Sequence, residues 1–436
     1  MTLRRKWLTV LGVALLILFC TATALLSLIP SDEELAARAE NMLTTALGVK
    51  VGIAALHWKL LPVPVLVMEN AVIATAQPIK FRHLTLYPSL SELLRKKIRI
   101  VRVDVDGAVV PQLSLSQLGG QDAGGGVAEN NSRGFTLDDI PLSHVAARDV
   151  SWISRRGIPV IYEGEADFDP HWRPRFIELR RPGLNPATNL ALTRQGVQDR
   201  WTVSANVGGG TLNGDMQLQT AAGGKMHLAG KLKSVGVEVS SALQAFNRRP
   251  AVAGKASGIT TLSANGMTIF QLAQSLKTVT PFVMGPSTIL RFNLDKAIST
   301  GGKEHAGKTP LEGITGTLET QNTPDGMITY FNDVETKSGS LSASGKAKLF
   351  NRHIDAEFAV DVVKGVVGVP LKVTGPVDHI TVSVPNGAIA GAVVGTAILP
   401  GVGTAIGARL GAAIGKILGS DPDRQKSPAS APRLGR

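Results

Sequence analysis

The sequence predicts a mainly β protein: an N-terminal transmembrane helix, then a long curled antiparallel β-sheet that forms an open groove, with short helices and a C-terminal glycine-zipper helical hairpin. Three observations predict this fold. An uncharged apolar run opens the chain, apolar and polar residues alternate with a period of two along most of it, and glycine recurs every fourth residue near its end. The expected divisions are 1–30 (cytoplasmic tip and anchor), 31–116 (helix and N-terminal sheet), 117–134 (flexible loop), 135–385 (β-groove body), 386–419 (glycine-zipper hairpin) and 420–436 (disordered tail).

The N-terminal run has the length and the flanking charges of one membrane span. Basic residues occupy positions 4–6, and no charged residue occurs from Trp7 to Ile29. About 20 apolar residues cross a bilayer, and basic flanks stay in the cytoplasm. We expect a single-pass inner-membrane protein with its bulk in the periplasm; a cleaved signal peptide with a small-residue site at 22–24 is the alternative. The anchor positions are Trp7, Leu11, Leu15, Leu18, Leu25 and Ile29.

Charge and cysteine content restrict the partners and cofactors. Cys20 is the only cysteine and lies inside the apolar run, so an internal disulfide and a thiolate zinc site are excluded. The eight histidines show no paired spacing, and we expect no metal and no other cofactor. The net charge of +12 favours an anionic partner. Because the expected compartment holds no chromosome, a membrane surface or an envelope polyanion is favoured over nucleic acid.

A helix is expected between the anchor and the first strand. Ser31 and Glu34 have the spacing of a capping box, and apolar residues recur at helical spacing until Gly48. We expect this helix to cover one end of the sheet. Further on, Pro62 and Pro64 predict an edge strand, because alternate prolines remove hydrogen-bond donors on one side; an irregular loop is the alternative.

The alternating stretches predict strands with one apolar and one polar face. A sheet that closes on itself hides its apolar face, whereas a sheet that curls without closing leaves an apolar trough, and composition does not choose between these. The candidates for the groove lining are Val101, Val103, Val105, Trp201, Val203, Val207, Ile354, Phe358, Ile380 and Val382.

Two kinds of segment interrupt the β pattern. Residues 117–134 are rich in glycine, asparagine and aspartate, which predicts a mobile loop or a gap between two parts of the sheet. Residues 268–276 have the apolar spacing of an amphipathic helix, and residues 240–246 predict a shorter one.

The C-terminal segment carries glycine at a four-residue period. Such a stripe lets helices approach closely, and Pro400 divides the segment into two short arms. We expect a hairpin that contacts a membrane; a hairpin docked on the protein's own body is the alternative. The packing positions are Gly387, Gly391, Gly395, Gly403, Gly407, Gly411, Gly415 and Gly419.

Two motifs suggest chemistry that their context disfavours. Residues 302–309 fit the Walker A pattern, but proline and glycines follow where that motif needs a helix, so we expect a surface loop. Glu163, Glu165, Asp167 and Asp169 share a strand face, where a calcium site is the functional interpretation and a solvated face beside Arg173 and Arg175 the favoured one. No GxSxG elbow is present, and we expect no enzyme.

Ordered short motifs along most of the chain resemble the AsmA family of Gram-negative envelope proteins. The first group contains GVKV at 48–51, LPVPVLVMEN at 61–70, LSELLRKKIRI at 90–100 and VDVDG at 103–107. The second group contains GKASG at 254–258, LSANGM at 262–267, LAQSL at 272–276, TPL at 309–311, GSLSASG at 339–345 and VPLKVTG at 369–375. The chain is short for that family, and the glycine zipper is not typical of every member.

The resemblance implies an inner-membrane anchor that carries a curled β-sheet into the periplasm, similar to chorein-type bridge proteins that conduct lipids. It therefore implies phospholipid handling or transfer along the groove for outer-membrane and envelope biogenesis. The expected partners are membrane phospholipids and the inner membrane, with the outer membrane or an envelope membrane protein as contacts of the hairpin. The alternative is a non-enzymatic scaffold or assembly factor that affects insertion of outer-membrane proteins.

Overall fold

Strands dominate the computed structural model, which describes residues 32–59, 63–89, 100–117, 142–169, 173–362 and 366–384. The prediction of a mainly β fold with few helices is confirmed. The chain divides into two units, Met1–Pro182 and Gly183–Arg436. The predicted anchor, nearly all of the predicted loop, the glycine-zipper hairpin and the tail lie outside the described residues. Among the described residues, no helix combines the length and the apolar character needed to cross a membrane.

In its described residues, the first unit contains one α-helix and a sheet whose strands pair in chain order. Neighbouring strands are antiparallel except β4 and β5, which are parallel with Val103 beside Val145. A short 3-10 helix, Gln112–Gln117, follows β4. The elements are α1 (Asp32–Leu47), β1 (Val51–Lys59), β2 (Val65–Ile73), β3 (Ile79–Pro88), β4 (Ile100–Pro111), β5 (His144–Ile153), β6 (Pro159–Phe168) and β7 (Pro174–Arg181).

Helix α1 covers the first strands, as its amphipathic pattern predicts. Its apolar side packs on a buried cluster that includes Val51, Leu56 and Met68. Two of its polar side chains accept hydrogen bonds from backbone N–H groups of β1: Glu40 from Ile53 at 2.6 Å and Thr44 from Val51 at 3.0 Å. The helix therefore satisfies donors on a strand whose only partner among the described strands is β2.

The prediction of an edge strand at the proline pair is wrong. Strand β2, which follows Pro64, pairs with β1 on one side and with β3 on the other. Pro64 lies in the connection before β2, where its missing N–H interrupts no strand pairing. Pro62 is outside the described residues.

A row of residues that we call the crease crosses β1 to β5. Asn70, Gly107 and Asp149 have φ values of 50°, 72° and 50°, in the left-handed region. The apolar pattern changes face at this row: Met68 and Ala71, three residues apart, belong to the same buried cluster. The strand register places five residues opposite one another, namely Ala54, Asn70, Arg82, Gly107 and Asp149.

The second unit contains a large antiparallel sheet and a small three-stranded sheet. The large-sheet strands, which pair in this order, are β8 (Thr188–Arg194), β9 (Arg200–Val207), β10 (Gly210–Thr220), β11 (Met226–Glu238), β13 (Lys255–Gly266), β14 (Lys277–Met284), β17 (Gly313–Thr323), β18 (Gly326–Ser338), β19 (Leu341–Phe350), β20 (His353–Val362), β21 (Val366–Pro376) and β22 (Thr381–Ser383). The small sheet contains β12 (Val252–Ala253), β15 (Ser287–Ile289) and β16 (Thr309–Leu311).

Three short helices of the second unit lie between strands: α2 (Val239–Ala245), α3 (Ile269–Ser275) and α4 (Leu294–Ser299). The first two agree with the helices predicted from the sequence. Glu238 caps α2 and also accepts a hydrogen bond from the Gly254 N–H at 2.7 Å. Burial raises the pKa of the Glu238 carboxyl, but hydrogen bonds from Gly254 and Ser240 outweigh it, so the pKa lies below its ordinary value.

Candidate functional site

The candidate site is one face of the large sheet in the second unit, which we call the inner face. Strand β9 defines it most clearly, because Trp201, Val203 and Ala205 are 5%, 2% and 7% exposed. The residues between them, Thr202 and Ser204, are exposed on the opposite, outer face. Successive side chains of a strand point to opposite faces, so the antiparallel register extends the assignment from β9 to its neighbours.

The inner face carries no charge at any described position from β9 to β22. Its members are apolar residues, glycines and uncharged polar residues, whereas lysine, aspartate and glutamate occupy the outer face, as in Lys231 and Lys233 of β11. The inner-face residues of the central strands include Leu212, Met216, Leu218, Leu228, Leu232, Leu262, Ala264, Phe282, Ile314 and Leu318.

The central part of the inner face is only partly covered. Leu212, Met216, Leu228, Leu262 and Leu318 are half-buried, although each lies in the interior of a paired strand. Burying apolar area is worth about 25 cal/mol per Å², so a half-buried row of leucines and methionine retains a driving force to bind apolar matter. The face has the chemistry of a binding surface for apolar chains.

At three glycines of the inner face, a side chain from the neighbouring strand lies against the position that a Cβ atom would occupy. A Cβ atom at Gly345 would lie 2.6 Å from Cδ1 of Phe358, and one at Gly316 would lie 3.3 Å from Cε1 of Phe282. At Gly230, a Cβ atom would lie 2.9 Å from Cγ of Met216. Large side chains therefore lie flat over the glycines instead of standing away from the sheet.

Hydroxyl groups on the inner face pair with one another across strands. The Thr260 and Thr280 hydroxyls are 2.9 Å apart, and those of Thr278 and Thr320 are 2.6 Å apart. Each bond pairs one O–H donor with the oxygen of the facing hydroxyl, so part of the polarity of these side chains is used within the face.

Helix α4 covers the inner face at its C-terminal strands. Leu294 and Ala297 of this helix belong to a buried cluster with Val360, Leu371 and Val382, among others. Four predicted lining residues lie here: Val382 within the cluster, and Ile354, Phe358 and Ile380 packed against it. At another place on the sheet, α3 lies against β13 and β17 and buries Leu272.

The other predicted lining residues lie in two separate places. Trp201, Val203 and Val207 are on the inner face of β9 in the second unit. Val101, Val103 and Val105 are half-buried on β4 in the first unit, and the last two pair with Leu86 and Leu84 of β3. Those two leucines pack against the cluster that α1 covers.

The predicted groove lining does not include the central residues of the inner face. Leu212, Met216 and Leu218 alternate with polar residues in β10. This pattern provides a signal, but Gly214 interrupts its apolar side. Leu262 of β13 lies within one of the motifs that carry the family resemblance, and its neighbours Thr261 and Ser263 supply the same alternation.

The Walker-like residues form a loop that the structure ties to α4. The Thr309 hydroxyl donates to the Phe292 carbonyl oxygen at 2.6 Å and accepts from the Leu294 N–H at 2.9 Å. Strand β16 begins at Thr309, where a phosphate-binding loop needs a helix. The hydroxyl that would contact a metal in a Walker site is 1% exposed and already bonded.

Three of the four acids in and directly after β6 have partners on neighbouring residues. Arg180 binds Glu163 at 3.0 Å, His144 contacts Asp167 at 2.6 Å, and the Arg173 N–H donates to Asp169 at 2.8 Å. Arg180 of β7, which the sequence prediction did not name, pairs with Glu163 and adds to the predicted arginines nearby. Within the described ranges, no cluster of histidine, cysteine, aspartate or glutamate is arranged to hold a metal ion.

Comparison with known proteins bears on the C-terminal segment. Residues 386–426 match a family model described as a glycine zipper. The match supports the prediction of a glycine-zipper packing surface and covers the predicted hairpin. No curated protein and no solved structure matches the chain.

Proposed function

We propose that this protein binds phospholipid acyl chains on the inner face of its second unit and handles or transfers them for envelope biogenesis. The observation that carries the proposal is the half-buried, uncharged row of leucine and methionine side chains on β10, β11, β13 and β17. A surface of this kind lowers the cost of carrying an acyl chain through water by about 0.8 kcal/mol for each methylene it covers. No catalytic group is required for that activity.

The place of action that we propose is the periplasm, with the chain held in the inner membrane by the apolar run from Trp7 to Ile29. Support comes from the basic residues before that run and from the resemblance to the AsmA family. The glycine-zipper match at residues 386–426 adds a second segment suited to packing within a membrane. The proposed partners are phospholipids and membranes, without nucleic acid.

The test is lipid analysis of the full chain after gentle extraction, comparing two neighbouring substitutions. Leu262→Asp places a charge on the inner face, and Thr261→Asp places the same charge on the outer face of the same strand. We expect phospholipid to co-purify with the parent and with Thr261→Asp, and to fall several-fold in Leu262→Asp, because burying an unpaired carboxylate is costly.

Two controls keep the lipid test decisive. Thermal unfolding of both variants establishes that each remains folded, and Leu262→Asn provides a milder polar change at the same position. Equal lipid content in the parent and in both Leu262 variants would contradict binding on the inner face.

A second candidate function is supported by the outer face. Val235, Ile259 and Val283 are 49%, 44% and 60% exposed on the adjacent strands β11, β13 and β14. Exposed apolar residues on neighbouring strands are typical of protein interaction sites. A scaffold or assembly factor would use this surface, and the absence of lipid from the parent protein would favour it.

A further inference from the structure

One end of the second unit gathers basic residues around the small three-stranded sheet. Strand pairing aligns Val252, Ile289 and Thr309 across this sheet, and the Leu290 N–H donates to the Ala251 carbonyl oxygen at 2.8 Å. The residues that flank these three strands on that side therefore include the cations Arg249, Arg291 and Lys308. We call Arg248, Arg249, Arg291, Lys303 and Lys308 the basic end surface.

The basic end surface is accessible and weakly neutralised. Four of its members are exposed and Arg248 is half-buried, and none of the five forms an ion pair with another described residue. The acids in the surrounding sequence from 238 to 312 are few, namely Glu238, Asp295, Glu304 and Glu312, and Glu238 is engaged by Ser240 and the Gly254 N–H. The surface is therefore complementary to a dense negative charge.

The loop that carries Lys303 contacts β22, the last strand that the structure describes. A Cβ atom at Gly302, next to Lys303, would lie 2.4 Å from the carbonyl oxygen of Val382 in β22. The glycine-zipper match begins at residue 386, a few residues further, and no charged residue occurs from 387 to 408. Lys303 therefore follows a residue that contacts the last described strand, which precedes the glycine-zipper match in the sequence, and an exposed aromatic ring, Phe246, lies two residues before Arg248.

We infer that the basic end surface binds the anionic phospholipid headgroups of a membrane beside the glycine-zipper segment. Cationic side chains near an anionic bilayer are attracted to its headgroups, and the uncharged glycine-rich sequence after residue 386 is suited to the adjacent apolar layer. This inference rests on the proposed function and deepens it, because it names the membrane chemistry that one end of the lipid-binding unit contacts.

The test uses the full chain reconstituted through its anchor into phosphatidylcholine vesicles. These vesicles are offered a second, fluorescent population that contains either phosphatidylcholine alone or phosphatidylcholine with phosphatidylglycerol. An uncharged segment should capture both vesicle populations equally. The capture ratio, anionic vesicles over phosphatidylcholine vesicles, therefore measures the contribution of headgroup charge. We expect the parent to favour the anionic vesicles at least about tenfold at low salt, with the preference falling at high salt.

Matched charge reversals assign the preference to this surface. Arg249→Glu with Arg291→Glu should bring the capture ratio close to one, whereas Lys231→Glu with Lys346→Glu, an equal charge change on exposed outer-face positions, should leave it high. An equal loss in both pairs, or no preference in the parent, would overturn the inference. Leu262→Asp should lose bound lipid and keep the capture ratio, so failure of the proposed function remains distinguishable from failure of this one.

Discussion

Single residues decide where the strands of the first unit bend. Gly107 has a φ of 72°, and a Cβ atom there would lie 2.2 Å from the Arg82 guanidinium. Arg82 itself binds Asp149 at 2.5 Å, across the crease. A glycine is therefore favoured at this position, chiefly because an L side chain strains the left-handed backbone conformation and secondarily because the Arg82 guanidinium would have to move.

Substitution of Gly107 by alanine should destabilise the protein by about 1–3 kcal/mol, through left-handed backbone strain and displacement of Arg82. Gly52 of β1 provides a matched control, because a Cβ atom there meets nothing within 4 Å and its φ is outside the left-handed region. Urea unfolding of both variants measures the difference. Equal stability of Gly107→Ala and Gly52→Ala would show that the crease tolerates a side chain.

Elements of the second unit depend on a few buried polar contacts. Helix α4 has only six residues, and its position over β19 to β22 relies on Leu294, on Ala297 and on the Thr309 hydroxyl. That hydroxyl joins Phe292, two residues before the helix, to Leu294, which begins it. The loop whose sequence fits the Walker A pattern therefore stabilises the position of α4 over the inner face.

Thr309→Val should cost about 1–3 kcal/mol, because the change leaves the Leu294 N–H and the Phe292 carbonyl oxygen without this partner in a buried place. Lys308→Ala, at the adjacent exposed position, should change unfolding free energy by less than about 0.5 kcal/mol. Chemical denaturation of both variants provides the comparison. Equal unfolding free energies for Thr309→Val and Lys308→Ala would show that the Thr309 hydroxyl does not support the helix.

Apolar residues are concentrated in several parts of this protein, and we expect these parts to bind different kinds of partner. The predicted anchor and the glycine-zipper segment are suited to lipid or to another helix, whereas the inner face is suited to single acyl chains. Polar outer-face residues such as Lys231 and Lys346 keep the other side of the sheet in water. These separate surfaces allow each role to be tested independently.

Bulky substitutions in the glycine stripe should release the C-terminal segment from its packing partner. Gly407→Leu with Gly411→Leu is expected to increase protease cleavage of this segment several-fold in reconstituted membranes, because leucine prevents close helix approach. Ala405→Leu with Ala413→Leu places the same leucine side chains away from the stripe and should leave cleavage unchanged. Similar cleavage of both variants would argue against packing through glycine.

The sequence alone determined the local features of the fold. Alternation identified the strands and, on β9, the buried face, because side-chain direction in a strand depends only on position along it. Helical spacing and turn residues likewise located α1, α2 and α3. These features need no knowledge of distant partners.

Only the tertiary structure decided which strands pair, where the faces change and how much of the inner face is covered. The proline pair suggested an edge, yet β2 has partners on both sides, and β4 pairs in parallel with β5 across a long stretch of sequence. The crease combines Asn70, Gly107 and Asp149 from separate strands. Strand pairing and the burial of a sheet face depend on contacts between residues far apart in the chain. The periodic pattern of one strand carries no information about those contacts.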